Sequence, residues 1–154
     1  MLELLLPRSA DRTYHGHRLA LWLFAVVVFM TAGMSLVSIF NGYAAASSAD
    51  GIPLDTYTSA AAQTVVSLFA LLGLSHLLFC LLCLLVLVRY RSLIPFLFAL
   101  LLLEHLGRKL VLRFLPIART GTPPGSVVNL VLLAVMVAGL ALTLWNRDEH
   151  RART

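Results

Sequence analysis

From Leu19 to Phe40 the chain runs for 22 residues without a charged side chain, and from Ala61 to Val88 it does so again for 28. A helix of about 20 mainly apolar residues spans the hydrocarbon of a bilayer, whereas helices bathed in water carry a polar face. Composition agrees: 60% of residues are hydrophobic and 12% charged, against about half and about a quarter in soluble domains. A soluble fold of 154 residues leaves too much surface exposed to hide that much apolar area. The sequence therefore predicts an all-α integral membrane protein, a single membrane domain over residues 1–154.

Two further stretches complete a set of four spans, at about 19–40, 61–88, 93–115 and 126–145. Asn41 to Ser59 reads as a polar loop, with Gly42, Gly51, Pro53, Asp50 and Asp55, the two aspartates as solvating charges. Arg89 to Ser92 allows only a tight turn, which makes helices two and three a close hairpin. Thr120 to Gly125 (TGTPPG) stops one helix and starts another, with Ser126 or Thr122 as N-cap, and Pro116 ends or kinks the third helix. The architecture expected is a four-helix bundle, up-down-up-down. The first apolar run exceeds the roughly 7–15 residues of a signal-peptide core, so it is expected to remain as a span.

Basic residues set the orientation. Arg8, Arg12, Arg18, Arg89, Arg91, Arg147, Arg151 and Arg153 fall on one side, while the 41–59 loop has none. The positive-inside rule places both termini in the cytoplasm. Trp22, Tyr90 and Trp145 then lie at the inner interface, and Tyr43 and Tyr57 near the outer one. The net charge of +5 flanks apolar segments and forms no basic face, so the implied partners are membrane lipids and not nucleic acid.

The remaining cations, Arg108, Lys109, Arg113 and Arg119, oppose that rule. Helix three has an apolar part of only eleven residues, Leu93 to Leu103, about 16 Å of helix. Its second half carries Glu104, His105, Arg108 and Lys109. A central apolar residue returns about 0.3–0.6 kcal/mol on insertion and a central charge costs about 2.5–3.5, so helix three depends on its neighbours. Glu104 and Arg108 stack four apart and can pair, and His105 and Lys109 share the adjoining face. Arg113 can snorkel outward, and with Arg119 it suits lipid headgroups. A turn centred on residue 90 brings residues whose numbers sum to about 180 to one depth, so His76 is expected within one turn of Glu104. Asn129 lies within reach of Arg108 or Lys109.

His76, Cys80 and Cys83 form one stripe of helix two, and their donors would suit a metal or haem. Cysteine is also an ordinary small apolar residue there, and no cofactor or metal is expected. Thr31, Ser35 and Ser38 on helix one, and Ala134, Ala138, Gly139 and Ala141 on helix four, read as packing positions for close helix approach. No phosphate loop, nucleophile elbow or HExxH motif occurs.

The passage from Glu104 to Val135, EHLGRKLVLRFLPIARTGTPPGSVVNLVLLAV, with Gly107-Arg108 late in one helix, a Gly/Pro turn at Gly121 to Gly125 and an apolar final helix, resembles the third-to-fourth-helix passage of small DoxX-like bacterial membrane proteins. It covers about the last third of the chain. The resemblance implies the four-helix architecture and a bacterial inner membrane, carries over only Gly107 and Arg108, and assigns no activity. Three functional readings stand: a non-enzymatic subunit or helper, as a homo-oligomer or in a larger membrane complex; a small proton-coupled transporter using Glu104 with His76 or His105; and a membrane redox subunit.

Overall fold

The computed structural model describes residues 17–151, with side chains described through residue 145. Arg8 and Arg12, and the side chains of Arg147, Arg151 and Arg153, lie outside the described residues. All regular structure among the described residues is helical. Four long helices follow in order: α1 (Arg18–Phe40), α2 (Ser59–Arg89), α3 (Ile94–Phe114) and α4 (Pro124–Arg151).

Three of these, α1, α2 and α4, are long and apolar enough to cross a membrane, and only 22% of each apolar window is buried inside the protein. Phe29, Phe40, Leu71, Leu78 and Val127 are among many large apolar side chains left outside. Apolar surface on that scale calls for a non-aqueous neighbour, which marks a membrane protein. By the same measure α3 falls short, because Glu104, Arg108 and Lys109 enter every window of sufficient length.

Local chemistry sets the helix ends. His17 Nδ1 accepts from the Leu19 N–H at 3.1 Å, and Thr58 Oγ1 accepts from the Ala61 N–H at 3.3 Å, so each satisfies a donor that the first turn leaves open. Helix α3 stops at Phe114, and Leu115 turns out of the helical region (φ −121°, ψ 75°) because Pro116 disfavours helix in the residue before it. Neither N-cap expected for the last helix matches. Ser126 lies inside the first turn, its hydroxyl donating to the Pro123 carbonyl at 2.7 Å. The helix opens instead on Pro124, whose missing N–H costs nothing there.

Contacts run antiparallel along successive helices. Gly42 meets Val66 beyond the end of α1, and deeper in the molecule Gly73 of α2 meets Ser35 and Ser38 of α1. A methyl on Gly73 would stand 2.8 Å from Ser38 Cβ and 2.9 Å from the Ser35 carbonyl oxygen. The hydroxyls of Thr31, Ser35 and Ser38 return to the carbonyls of Val27, Thr31 and Met34, so this polar stripe is satisfied within α1. Between α3 and α4, Gly139 lies under the ring of Phe98. The central core joins Phe24, Val27 and Val28 to Cys80, Cys83, Val86, Ile94, Leu97, Phe98, Leu101, Leu132 and Met136, with Phe24 and Phe98 edge-to-face at 5.1 Å.

Three expectations need correction. Ala134, Ala138 and Ala141 face outward; Gly139 packs as expected, and with Leu132, Met136 and Thr143 it forms the inward stripe of α4. Residues 41–59 are not a solvated loop: Gly42–Ala44 and Ala45–Ala49 continue as helical turns, and Ala46, Ile52 and Leu54 bury against Val65, Val66 and Phe69. The apolar residues scattered through that polar segment supply the burial. Helices α2 and α3 join at the Arg91–Leu93 turn but share far fewer close approaches than α1 and α2, so they stand apart and leave a cleft where a close hairpin was expected.

The connections on either side of the α2–α3 pair meet at one end. The Thr120 N–H donates to the Gly51 carbonyl at 2.8 Å, and Gly51 (φ +71°) sits against Pro123. The α2–α3 turn lies at the other end.

Candidate functional site

The cleft between α2 and α3 has a volume of about 320 Å3 and is lined by Ser75, His76, Phe79, Leu100 and Glu104. Helical spacing puts these residues together. Ser75 and Phe79 are four apart on α2 with His76 beside them, and Leu100 and Glu104 are four apart on α3. Two or three apolar walls with one polar edge are typical of small-ligand sites, and the volume is at the lower end of the roughly 300–1,000 Å3 such sites occupy.

His76 and Glu104 meet across the cleft, with Nε2 2.8 Å from Oε1. Arg108 Nη2 donates to the same Glu104 oxygen at 2.5 Å and also contacts His76 Nε2. His76 Nδ1 lies 2.7 Å from the Leu72 carbonyl. A carbonyl only accepts, so Nδ1 carries a proton and Nε2 is the atom whose protonation is open. With Nε2 bare, the ring accepts from Arg108 but turns its lone pair toward Glu104 Oε1. With Nε2 protonated, the ring donates to Glu104 but opposes the Arg108 N–H. While Glu104 is ionised, neither state of the ring satisfies both neighbours. The three groups are not sealed off either: the side chains of His76, Glu104 and Arg108 are 22%, 40% and 46% exposed.

The other expected members of the cluster lie elsewhere. His105 is one residue, about 100° of helix rotation, from Glu104; it is buried and its Nε2–H donates to the Asn129 backbone carbonyl at 3.0 Å. It is therefore an α3–α4 tie, and Asn129 receives His105 where Arg108 or Lys109 was expected. Lys109 and Arg113 are exposed and make no hydrogen bond or ion pair among the described residues. Arg119 is exposed on the α3–α4 connection and acts on Asp50.

Asp50 is no surface charge. Half-buried, it stands beside the first turn of α4, its Oδ1 3.2 Å from where a Gly125 Cβ would be. Burial raises its pKa, and the positive charges of Arg119 and then Arg108 oppose that rise. Asp55 accepts from the Tyr43 hydroxyl at 2.6 Å, and this bond, with the carboxylate's charge, makes the phenol harder to ionise.

Cys80 and Cys83 are free and buried in the apolar core. Among the described residues no three His, Cys, Asp or Glu side chains gather to hold a metal ion. Ser75, Phe79 and Leu100 are the lining residues sequence reasoning did not name; their signal was the i, i+4 spacing around His76 and Glu104.

No protein-family model matches the sequence, and neither a curated protein nor a solved structure matches it.

Proposed function

We propose that this is a four-span, multi-pass membrane protein with both termini cytoplasmic, working as a small proton-coupled carrier through the α2–α3 cleft. The carrying observation is that His76 and Glu104 face open space in contact with each other, where a purely structural lock would be enclosed between packed helices. Ionisable groups at such depth are costly and are usually kept for a task. The antiparallel contacts, the shared end of the two outer connections and the eight cytoplasmic arginines support the four-span, up-down-up-down reading, with α3 inserted by virtue of its partners. The DoxX-like likeness of residues 104–135 is carried into this proposal for architecture alone.

Glu104→Gln tests it: in liposomes, pH-dependent solute flux falls at least about tenfold while abundance and helical content hold. Loss of folded protein would instead make the cluster a helix lock. The subunit reading has one observation in its favour, the outward-facing Ala134 and Ala138 on α4, small enough to admit a helix from another chain.

A further inference from the structure

We infer that the α2–α3 cleft binds a single-chain amphiphile with a monoanionic head, and that each molecule bound brings one proton to His76 Nε2 while Arg108 turns from His76 to the anion. The inference rests on the carrier reading and adds the substrate class.

Charge balance leads to it. With His76 neutral, Glu104 and Arg108 cancel, so an anion entering alone would leave the cluster negative in a medium that solvates charge poorly. A cation would have to displace Arg108 from the carboxylate it holds at 2.5 Å. An anion arriving with a proton leaves the total unchanged. The imidazolium then donates to Glu104, and Arg108, no longer wanted at Nε2, is free for the newcomer. In this liganded state the conflict at Nε2 is resolved without a net change of charge.

The surroundings favour the same sign. Among the described residues no titratable side chain of α1 or α4 faces His76: α1 carries only Arg18 and α4 none before its last turn. From α2 the one near neighbour is Cys80, buried in the core. From α3 come Glu104 and Arg108, with His105 turned to α4 and Lys109 exposed. Asp50, on the 41–59 segment, feels the charges of Arg119 and then of Arg108. Lys109 and Arg113 continue the positive charge toward the 115–123 connection. Phe79 and Leu100 give the cleft its apolar wall, and a volume of about 320 Å3 has room for one alkyl chain.

The test uses the full chain in phosphatidylcholine nanodiscs, titrated with decyl sulfonate, whose charge does not change with pH. Decyltrimethylammonium and decanol serve as charge-reversed and neutral probes, and empty nanodiscs are subtracted. Calorimetry in buffers of different ionisation enthalpy counts protons. The sulfonate is expected to bind at least about tenfold tighter than either other probe and to take up about one proton. Its affinity should rise by up to about tenfold per pH unit on acidification, levelling off once His76 is protonated in the free protein. Arg108→Gln should weaken it by roughly tenfold or more, the loss of a charge-assisted bond, with Arg108→Lys recovering part. His76→Gln should abolish the proton uptake. Sulfonate binding without proton uptake, or undiminished in Arg108→Gln, overturns the inference, and the wild-type proton count decides the matter even if a variant fails to fold. Tighter binding of the ammonium probe, sensitive to Glu104→Gln, overturns the anion assignment and leaves the carrier reading standing. Proton-linked sulfonate binding with no flux in liposomes upholds the inference about the site and overturns the carrier reading.

Discussion

Adding one methyl group to a glycine should have opposite effects at two places in this chain. Gly73 and Gly33 are both in helix interiors. At Gly73 a Cβ would stand 2.9 Å from the Ser35 carbonyl oxygen and 2.8 Å from Ser38 Cβ, with Ile39 Cγ1 at 3.2 Å. At Gly33 nothing lies within 4 Å. Glycine to alanine favours the helix by about 0.5–1 kcal/mol in either position, a contribution that cancels when the two variants are compared. What remains is the collision. Two of the three crowding atoms belong to helix backbone or its first side-chain carbon, so they yield only if α1 and α2 move apart. Overpacking of that kind costs about 1–3 kcal/mol. Gly73→Ala should therefore be less stable than Gly33→Ala by about 1–3 kcal/mol, with Gly33→Ala at or slightly above the parent. Reversible unfolding of each variant in mixed micelles, followed by circular dichroism as the denaturing detergent fraction rises, measures the difference. Two variants agreeing within about 0.5 kcal/mol would mean that α1 and α2 do not cross at Gly73, and the register of the pair would be wrong.

The end of the molecule that holds Asp50 gives two more expectations. Burial raises the Asp50 pKa, so its folded-state value lies above the unfolded one, and the folded state binds the proton more tightly. Its stabilising effect is present at pH below the unfolded carboxylate value and is lost as pH rises through the folded value. Asp50→Asn should accordingly match or exceed the parent in thermal stability at pH 7, and the advantage should vanish toward pH 3; an Asn variant clearly less stable at neutral pH would show that Arg119 and the start of α4 outweigh burial. Gly51→Ala forces a left-handed backbone (φ +71°) on a residue with a side chain, 3.2 Å from Pro123 and 3.3 Å from the Thr120 carbonyl. About 1–2 kcal/mol of destabilisation, with faster proteolysis of the 45–54 segment, is expected.

Helix existence was legible in this sequence, and helix faces were not. Uninterrupted apolar runs marked α1, α2 and α4, and Pro116 and the Pro123-Pro124 pair marked the break between the last two helices. A helix that is apolar all round carries no periodic record of which side meets protein and which meets lipid. Ala134, Ala138 and Ala141 were credited for that reason with packing that belongs to Leu132 and Met136, while Gly139 was placed correctly. Where polar residues occur they do fix the face, and the depth rule from the turn at residue 90 located His76 against Glu104. Grouping His105 with that pair did not hold: one residue on, about 100° around the helix, it turns to the Asn129 carbonyl of α4.

The polar residues of α3 also explain the cleft. Helix α3 spends its second half on Glu104, Arg108, Lys109 and Arg113, side chains that cannot interlock with the leucines opposite them on α2. Its first half does interlock, through Ile94, Leu97, Phe98 and Leu101 in the core. Its inward tie at depth goes to α4 through His105 and the Asn129 carbonyl, which draws α3 to that side. Drawn to α4 and unable to zip onto α2, α3 touches α2 at this level chiefly through the Glu104–His76–Arg108 bridge. The separation of α2 from α3 and the polar cluster between them thus have one cause, and replacing His105 by Leu, which cuts the tie to α4 without touching the bridge, should alter the cleft before it alters the helices. Distances between spin labels at Leu82 and Leu103 would report it: a narrower or broader distribution with unchanged helical content is the expected result, and an unchanged distribution would mean that the His105 bond does not position α3.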